Sequence, residues 1–338
     1  MELKKFTAVL AVAASLVLAG CGSGAGSETG SGSEGSTAAG DTPTLKVGTF
    51  GIGADAAIEM AIDKGWFEEE GLKVETIVVA NPPAGIAAAQ SGQLDLTYSP
   101  SIPMLNALSQ NVPLKVIAPA DGYAEDALQS QDLAKVDDTG LFVPKGSDIT
   151  GPKDLEGKSV SVPARKALME VTVAKLVKDA GGDPAKVNWM VLDAASALQS
   201  LDSQRVDAAT LSAPFTAQAE SKGHILLASP GIAFFERGAV GLWVAGAKTV
   251  QDKPEQMAAF ARAITKANDY ANNHLEEAQE ASAELTGVPL EIVSQGAENY
   301  WPIEVKLEEI QRVNKQLAEL GFLANEVPLD QDLIFSGQ

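Results

Sequence analysis

Three short stretches of the chain carry residues whose types and spacing suit the handling of a small molecule. The first, Gly51-Ile52-Gly53-Ala54-Asp55-Ala56, fits the pattern G-x-G-x-x-A between a strand and a helix. A dinucleotide site would also need an acid closing the second strand, to hold a ribose. Here Glu75 falls inside that strand and Ala80-Asn81 ends it. The glycines are therefore expected to let backbone N–H groups around Gly51, Ile52 and Gly53 line a cleft at a helix N-terminus. The second stretch is Arg165-Lys166, a basic pair just before a helix, where the macrodipole disfavours cations by about 0.3–1 kcal/mol each. Such a pair is expected to meet a negative group on a ligand; the plain alternative is two solvated side chains. The third is Ser212-Ala213-Pro214-Phe215, in which Phe215 either walls a pocket or starts a buried helix.

Other chemistry is scarce. His224 and His274 sit in polar loop or helix-end contexts with no obvious cysteine, serine or acidic catalytic partner, and read as surface histidines. No H-E-x-x-H, G-x-S-x-G or paired zinc-ligand spacing occurs, so neither a metal nor a cofactor is expected. Carboxylates are numerous enough to hide an acid–base pair, but Glu68-Glu69-Glu70 and Glu276-Glu277 read as solvated faces. The formal net charge of −20 argues against a nucleic-acid partner, while leaving room for a locally positive anion site. Cys21 is the only cysteine, which rules out an intramolecular disulfide or thiolate cluster.

The surrounding segments explain that cysteine and position the candidate loops. Residues 1–20 read as a signal peptide: Lys4-Lys5, then apolar Phe6 to Leu18, then Leu18-Ala19-Gly20. The Leu-Ala-Gly-Cys junction resembles the lipobox of bacterial lipoproteins, which implies cleavage before Cys21 and acylation of its thiol. Residues 21–42 read as the lipidated cysteine and a disordered Gly/Ser tether of roughly 25 Å root-mean-square span. From Leu45 onward strands and helices alternate. Leu45–Phe50, Lys73–Val79, Leu94–Tyr98 and Leu114–Ala118 read as strands of a first set. The Gly65–Glu75 stretch links a helix to a strand, with Trp66 and Phe67 closing the bottom of a core. Signals weaken from Asp121 to Asp138. Thr139–Val143, Ser159–Val162, Asn188–Val191, Ala208–Leu211 and Ile225–Leu227 read as a second set. Val240–Ala245 is another strand, followed by helices with apolar stripes at Met257, Phe260, Ala261, Ile264, Ala267 and Ala271, and at Val305, Ile310, Val313 and Leu317. This order predicts an α/β protein with two lobes, each a mostly parallel sheet flanked by helices.

Ligands in open α/β sheets bind beyond the carboxyl ends of the strands. Four loops qualify: Gly51–Asp55, Tyr98–Ser101, Pro163–Lys166 and Ser212–Phe215. Ser99 and Ser101 either cap the helix that follows or contact a ligand. Tyr98, Tyr123 and Trp301 are aromatics suited to enclosing a flat or apolar portion, and Trp301 is equally suited to plugging a core.

Four segments, in order, resemble the nitrate/sulfonate/taurine group of ABC-transporter substrate-binding proteins. They are Lys64 to Glu75 (KGWFEEEGLKVE), Ala88 to Asp95 (AAQSGQLD), Asp154 to Pro163 (DLEGKSVSVP) and Val206 to Phe215 (VDAATLSAPF). The agreement runs from about Leu45 to about Gly246. The resemblance implies the type II periplasmic binding protein fold, with residues 43–138 as the first part of lobe one, 139–240 as lobe two and 241–338 as the return to lobe one. It implies a hinge at Thr139–Val143 and Val240–Ala245. It further implies a non-enzymatic receptor, monomeric and lipid-anchored on the extracytoplasmic face of the cell membrane. Such a receptor closes on a small-molecule ligand and delivers it to an ABC permease. Pro163-Ala164-Arg165-Lys166 departs from the Gly-Ser-type turn of relatives. Arg165 and the helix N-termini favour an anion such as a sulfonate, carboxylate or nitrate-like ligand; the same family includes receptors for pyrimidine-type vitamin precursors. An exported enzyme, or a sensor for a membrane receptor, are the competing readings.

Overall fold

The computed structural model describes residues 42–337, and the leader, Cys21 and the tether up to Asp41 lie outside the described residues. In chain order the strands are β1 (Thr44–Thr49), β2 (Lys73–Val78), β3 (Leu96–Pro100), β4 (Leu114–Pro119) and β5 (Gly122–Tyr123). They continue with β6 (Thr139–Val143), β7 (Ser159–Val162), β8 (Asn188–Val191), β9 (Ala208–Ser212), β10 (Ile225–Ala228), β11 (Gly238–Ala239) and β12 (Gly241–Gly246). One five-stranded sheet has the order β2-β1-β3-β12-β4 and a second the order β10-β6-β9-β7-β8. In the first, β1 pairs parallel with β2 and β3, and β12 runs antiparallel between β3 and β4. In the second, β7 pairs parallel with β8 and β9, while β6 runs antiparallel to β9 and β10. The central strands β3, β6 and β12 are buried along their whole length, as strands covered by helices on both faces must be.

Local sequence explains why the flanking elements form where they do. Asn81 caps the helix Pro82–Ser91 by accepting the Ala84 N–H at 3.0 Å, with prolines at the first helical positions and Gly92 in the left-handed region after it. Trp66–Glu69, read from sequence as a linker, is a short helix, and Phe67 stacks on Phe260 at 5.5 Å in the core of the first sheet. Phe260 belongs to the 20-residue helix Pro254–Asn273, whose Met257, Phe260, Ile264, Ala267 and Ala271 are buried at 3.6-residue spacing. A helix at Pro230–Phe235, absent from the sequence reading, buries Ile232, Phe234 and Phe235. Short elements escape periodicity because one or two turns do not repeat enough to register.

The two sheets are joined by segments that run together as the ribbon β5–β11, with Gly238 opposite Tyr123 and Ala239 opposite Gly122. This moves the crossing from where the sequence placed it. Thr139–Val143 and Gly241–Gly246 are buried strands paired on both sides, so neither is free to bend. The ribbon needs glycine for a steric reason: a Cβ on Gly122 would lie 2.0 Å from the Gly238 carbonyl oxygen. Backbone cannot step aside as a side-chain end can. Gly122→Ala is therefore expected to destabilise the protein by more than about 2 kcal/mol in chemical denaturation. Gly146→Ala, where the neighbourhood is open but φ is +79°, should cost only about 1 kcal/mol.

Candidate functional site

A cavity of about 310 Å³ lies between the carboxyl ends of the two sheets. Its walls come from the loops after β1, β2, β3 and β4 on one side. On the other they come from the start of β6, the loop after β7, the end of β9 and the start of the helix Leu168–Asp179. The last piece is Glu298-Asn299-Tyr300, from the tail. Aromatic faces are supplied by Phe50, Tyr98, Tyr123 and Tyr300, and Phe50 meets Tyr98 edge-on at 5.0 Å.

The charged groups, Asp121, Asp138 and Glu298, are all acidic. Asp121 closes β4, and its Oδ1 accepts the Tyr98 hydroxyl at 2.8 Å. Asp138 opens β6, with its backbone carbonyl accepting the Ala213 N–H at 2.7 Å. Each keeps some accessible area, and that area faces the cavity. Burial raises the Asp121 carboxyl to about 6, with the Tyr98 hydrogen bond acting against the rise. Burial, with the nearby charges of Asp121 and Asp137, pushes Asp138 well above the usual carboxylate range. Tyr98 and Tyr123 are likewise held well above their ordinary value, first by burial and then by these carboxylates. Among the described residues, no lysine, arginine, histidine or cysteine lines the cavity. Nor does any group of three or more His, Cys, Asp or Glu stand close enough to hold a metal ion. An unpaired carboxylate in such a place costs several kcal/mol unless it takes a proton or meets a cation or donor.

A second layer holds this first one. Asp137, 2% exposed, accepts hydrogen bonds from the Tyr123 hydroxyl (2.8 Å), the Thr139 N–H (2.9 Å) and hydroxyl (2.7 Å), and the Ile232 N–H (2.9 Å). It therefore ties the ribbon, β6 and the helix Pro230–Phe235 together.

The sequence candidates divide. Ile52, Tyr98, Tyr123 and Ser212 line the cavity. Gly51 and Gly53 do not, and the Ile52 and Asp55 N–H groups are taken up within the loop. Asp55 Oδ2 accepts the Phe50 and Ile52 N–H groups at 3.0 Å each, so the loop curls around its own buried carboxylate. Burial raises that carboxyl too, to about 6. Ser99 donates to the Pro100 carbonyl at 3.0 Å, and Ser101 is buried with no partner for its Oγ; neither caps the helix Ser101–Ser109 nor reaches the cavity. Pro214 precedes the helix Phe215–Ser221, and Phe215 packs on the core of the second sheet rather than walling the cavity. Trp301 is 1% exposed and donates its Nε1–H to the Ala54 carbonyl at 2.8 Å, so it is a core plug.

Arg165 and Lys166 require the largest correction. Arg165 forks onto Glu170, Nε to Oε2 at 2.7 Å and Nη2 to Oε1 at 3.1 Å, and lines a separate groove with Trp189 and Phe322. The Lys166 N–H donates to the same carboxylate at 2.6 Å. The negative partner that the helix end calls for is Glu170, in the helix's own first turn. The histidines lie elsewhere: His224 meets Asp202 at 2.7 Å and His274 stacks on Tyr270 at 3.7 Å.

Sequence reasoning missed Asp121, Asp138, Asn299 and Tyr300. Asp121 had a usable signal, since it follows a strand's carboxyl end. Asp138 opens a strand that runs antiparallel to its neighbours, and Tyr300 arrives from a distant tail; no spacing rule reaches either.

Residues 55–278 match the protein family described as NMT1/THI5-like. A Bacillus subtilis (strain 168) protein named for binding aliphatic sulfonates is 23% identical over 93% of this chain and 89% of its own length. The alkanesulfonate-binding protein SsuA of Xanthomonas axonopodis pv. citri, solved with MOPS, superposes with a TM-score of 0.69 at 16% identity, covering 86% of this chain and 97% of its own. The desulfurization enzyme DszB superposes with a TM-score of 0.60 at 16% identity, over 86% and 95%. The two-lobed type II periplasmic binding protein fold is thereby shown, and it houses receptors and an enzyme alike.

The raised carboxylates make stability depend on pH. A carboxyl whose folded pKa is raised contributes stability that is fully present below its unfolded pKa of 3.8 and lost as pH rises through about 6. The ligand-free protein should melt higher at pH 5 than at pH 8. General charge repulsion acts the same way, so Asp121→Asn supplies the contrast: its melting temperature should vary less across that window.

Proposed function

Because this chain belongs to the NMT1/THI5-like family, we propose that it is the substrate-binding protein of an ABC importer whose ligand is flat, carries N–H donors and is neutral or cationic. One observation carries the ligand class: Asp121 and Asp138 face an aromatic-walled cavity that, among the described residues, has no basic side chain. An anion would enter beside Asp121 and Asp138 with no cation among the lining residues to receive it. The anionic ligand expected from the sequence rested on Arg165, which is engaged by Glu170 outside the cavity. A pyrimidine-type vitamin precursor, the other ligand read from the sequence, matches the flat faces and acceptor groups. Sulfonate binding, the specificity in the names of the B. subtilis and Xanthomonas relatives, lacks a cationic partner here.

Binding and release follow from the same parts. A donor-rich ligand bridges Asp121, at the end of the first sheet, and Asp138, at the start of the second, drawing the lobes together about the β5–β11 ribbon. The protein acts as a monomer that passes its ligand to a membrane permease, held near the membrane by acyl chains on Cys21. Two such chains give stable anchoring at about 0.8 kcal/mol per buried methylene.

Native mass spectrometry of protein purified without refolding should reveal a nitrogen base; a sulfonate or carboxylate in its place overturns the ligand class. With that base in calorimetric titration, Asp121→Asn should weaken binding by about ten- to a hundredfold, the loss of one charge-assisted contact of about 1.5–3 kcal/mol. Affinity should also fall as pH drops below about 6, where Asp121 takes a proton. The paired carboxylates would equally suit acid–base hydrolysis, so recovery of the ligand chemically altered after incubation would favour an enzyme. Scattering should give a smaller radius of gyration with ligand than without. Cys21→Ser should release the protein from membranes, and a mutant that remains membrane-bound refutes the anchor.

A further inference from the structure

The tail does more than complete the first lobe. After the helix Leu275–Thr286 the short helix Leu290–Gln295 packs both against that helix and against Phe215–Ser221 of the second lobe. Lys135 fastens it there: its Nζ donates to the Gln295 carbonyl at 2.6 Å and the Gly296 carbonyl at 3.2 Å, and its own carbonyl accepts the Glu298 N–H at 2.8 Å. Gly296 sits so close to the second lobe that a Cβ placed on it would lie 3.5 Å from the Ala217 Cβ. The chain then returns along the cavity wall as Glu298-Asn299-Tyr300, where the Tyr300 carbonyl accepts the Gly122 N–H of the ribbon at 2.9 Å. The return ends at an anchor in the first lobe. Trp301 exchanges hydrogen bonds with Asn272, N–H to Oδ1 at 2.9 Å and Nδ2–H to carbonyl at 2.7 Å, and plugs the core beneath Ala54.

The two ends of this excursion differ in strength. Trp301 is buried, whereas Lys135 is exposed and its hydrogen bonds compete with water. Separating the lobes must either tear out Trp301 or unfasten Lys135, and the second is much the easier. We propose that residues 290–300 are a latch: seated on the second lobe through Lys135 and Ala217, it gates entry to the cavity, and Tyr300 sets the size of solute admitted. The latch uses the cavity described above but not the charge of its ligand.

Its test is accordingly independent of that charge. In the full chain with Cys21→Ser, Ser212→Cys places a single thiol on the cavity wall. Its reaction rates with methyl methanethiosulfonate, which is small, and fluorescein maleimide, which is bulky, report opening and aperture separately. Lys135→Ala should raise both rates about tenfold, because the seated state is destabilised. Tyr300→Ala should raise the maleimide rate about tenfold while changing the small reagent's rate by less than about twofold. Either variant leaving both rates unchanged overturns the latch. Seating itself is read from Ala217→Cys/Gly296→Cys in the same Cys21→Ser background, whose sulfurs should join in air, since a Cβ separation of 3.5 Å falls in the range a disulfide accepts. A double variant that stays reduced means the segment does not rest on the second lobe, and the proposal fails.

Discussion

Two backbone segments pass between the lobes side by side, and the rest of the molecule is arranged around how closely they approach. The Gly122–Tyr123 and Gly238–Ala239 ribbon admits no Cβ at Gly122. Asp121, immediately before it, has its backbone carbonyl accepting both the Val240 and Gly241 N–H groups, so its side chain has little choice of direction. On the other side, Asp137 takes the Tyr123 hydroxyl and the Ile232 N–H, which leaves its neighbour Asp138 turned toward the cavity. The ribbon therefore fixes where the lobes meet and which charges face the space between them.

Buried carboxylates at a crossing point, with no cation beside them, are costly to keep charged. Desolvation is the leading cause of the raised pKa at Asp55, Asp121, Asp137 and Asp138 alike, so the site stores an electrostatic demand. Hydrogen bonds meet part of it, but no cation does, since Arg165 and the first turn of its helix are already neutralised by Glu170. Site charge and helix-end charge are separate matters here, and a relative with a free arginine in that loop would present a different field. A shared fold at 16% identity carries no information about that difference.

The stiffness of the first lobe supports both the ribbon and the tail. Edge and stacked contacts run from Phe50 through Tyr98, Trp243 and Phe260 to Phe67, linking the cavity wall to the bottom of the core. Between the lobes, the exposed hydrogen bonds at Lys135 stand beside a buried apolar cluster in which Val171, Ile232 and Phe235 meet Ile102, Leu105 and Ile310.

The chain's two βα sets, most element boundaries and the family were legible in the sequence, because each rests on local signals. β7, β8 and the helix Phe215–Ser221 fall where period, caps and turn residues put them. Ile52, Tyr98, Tyr123 and Ser212 were legible as cavity residues because they lie near strand ends. Only the tertiary structure decided the remainder. Arg165 looked free because its partner, five residues on, reads in sequence as an ordinary helical acid; folding turns that carboxylate back onto the basic pair. Trp301 and Tyr300 are adjacent, yet one fills the core and the other walls the cavity. Asp121, Asp138 and Tyr300 meet across long stretches of chain, and long-range proximity leaves no period or spacing behind it. Sequence patterns report what each segment buries, while the site is made of what separate segments leave unburied together.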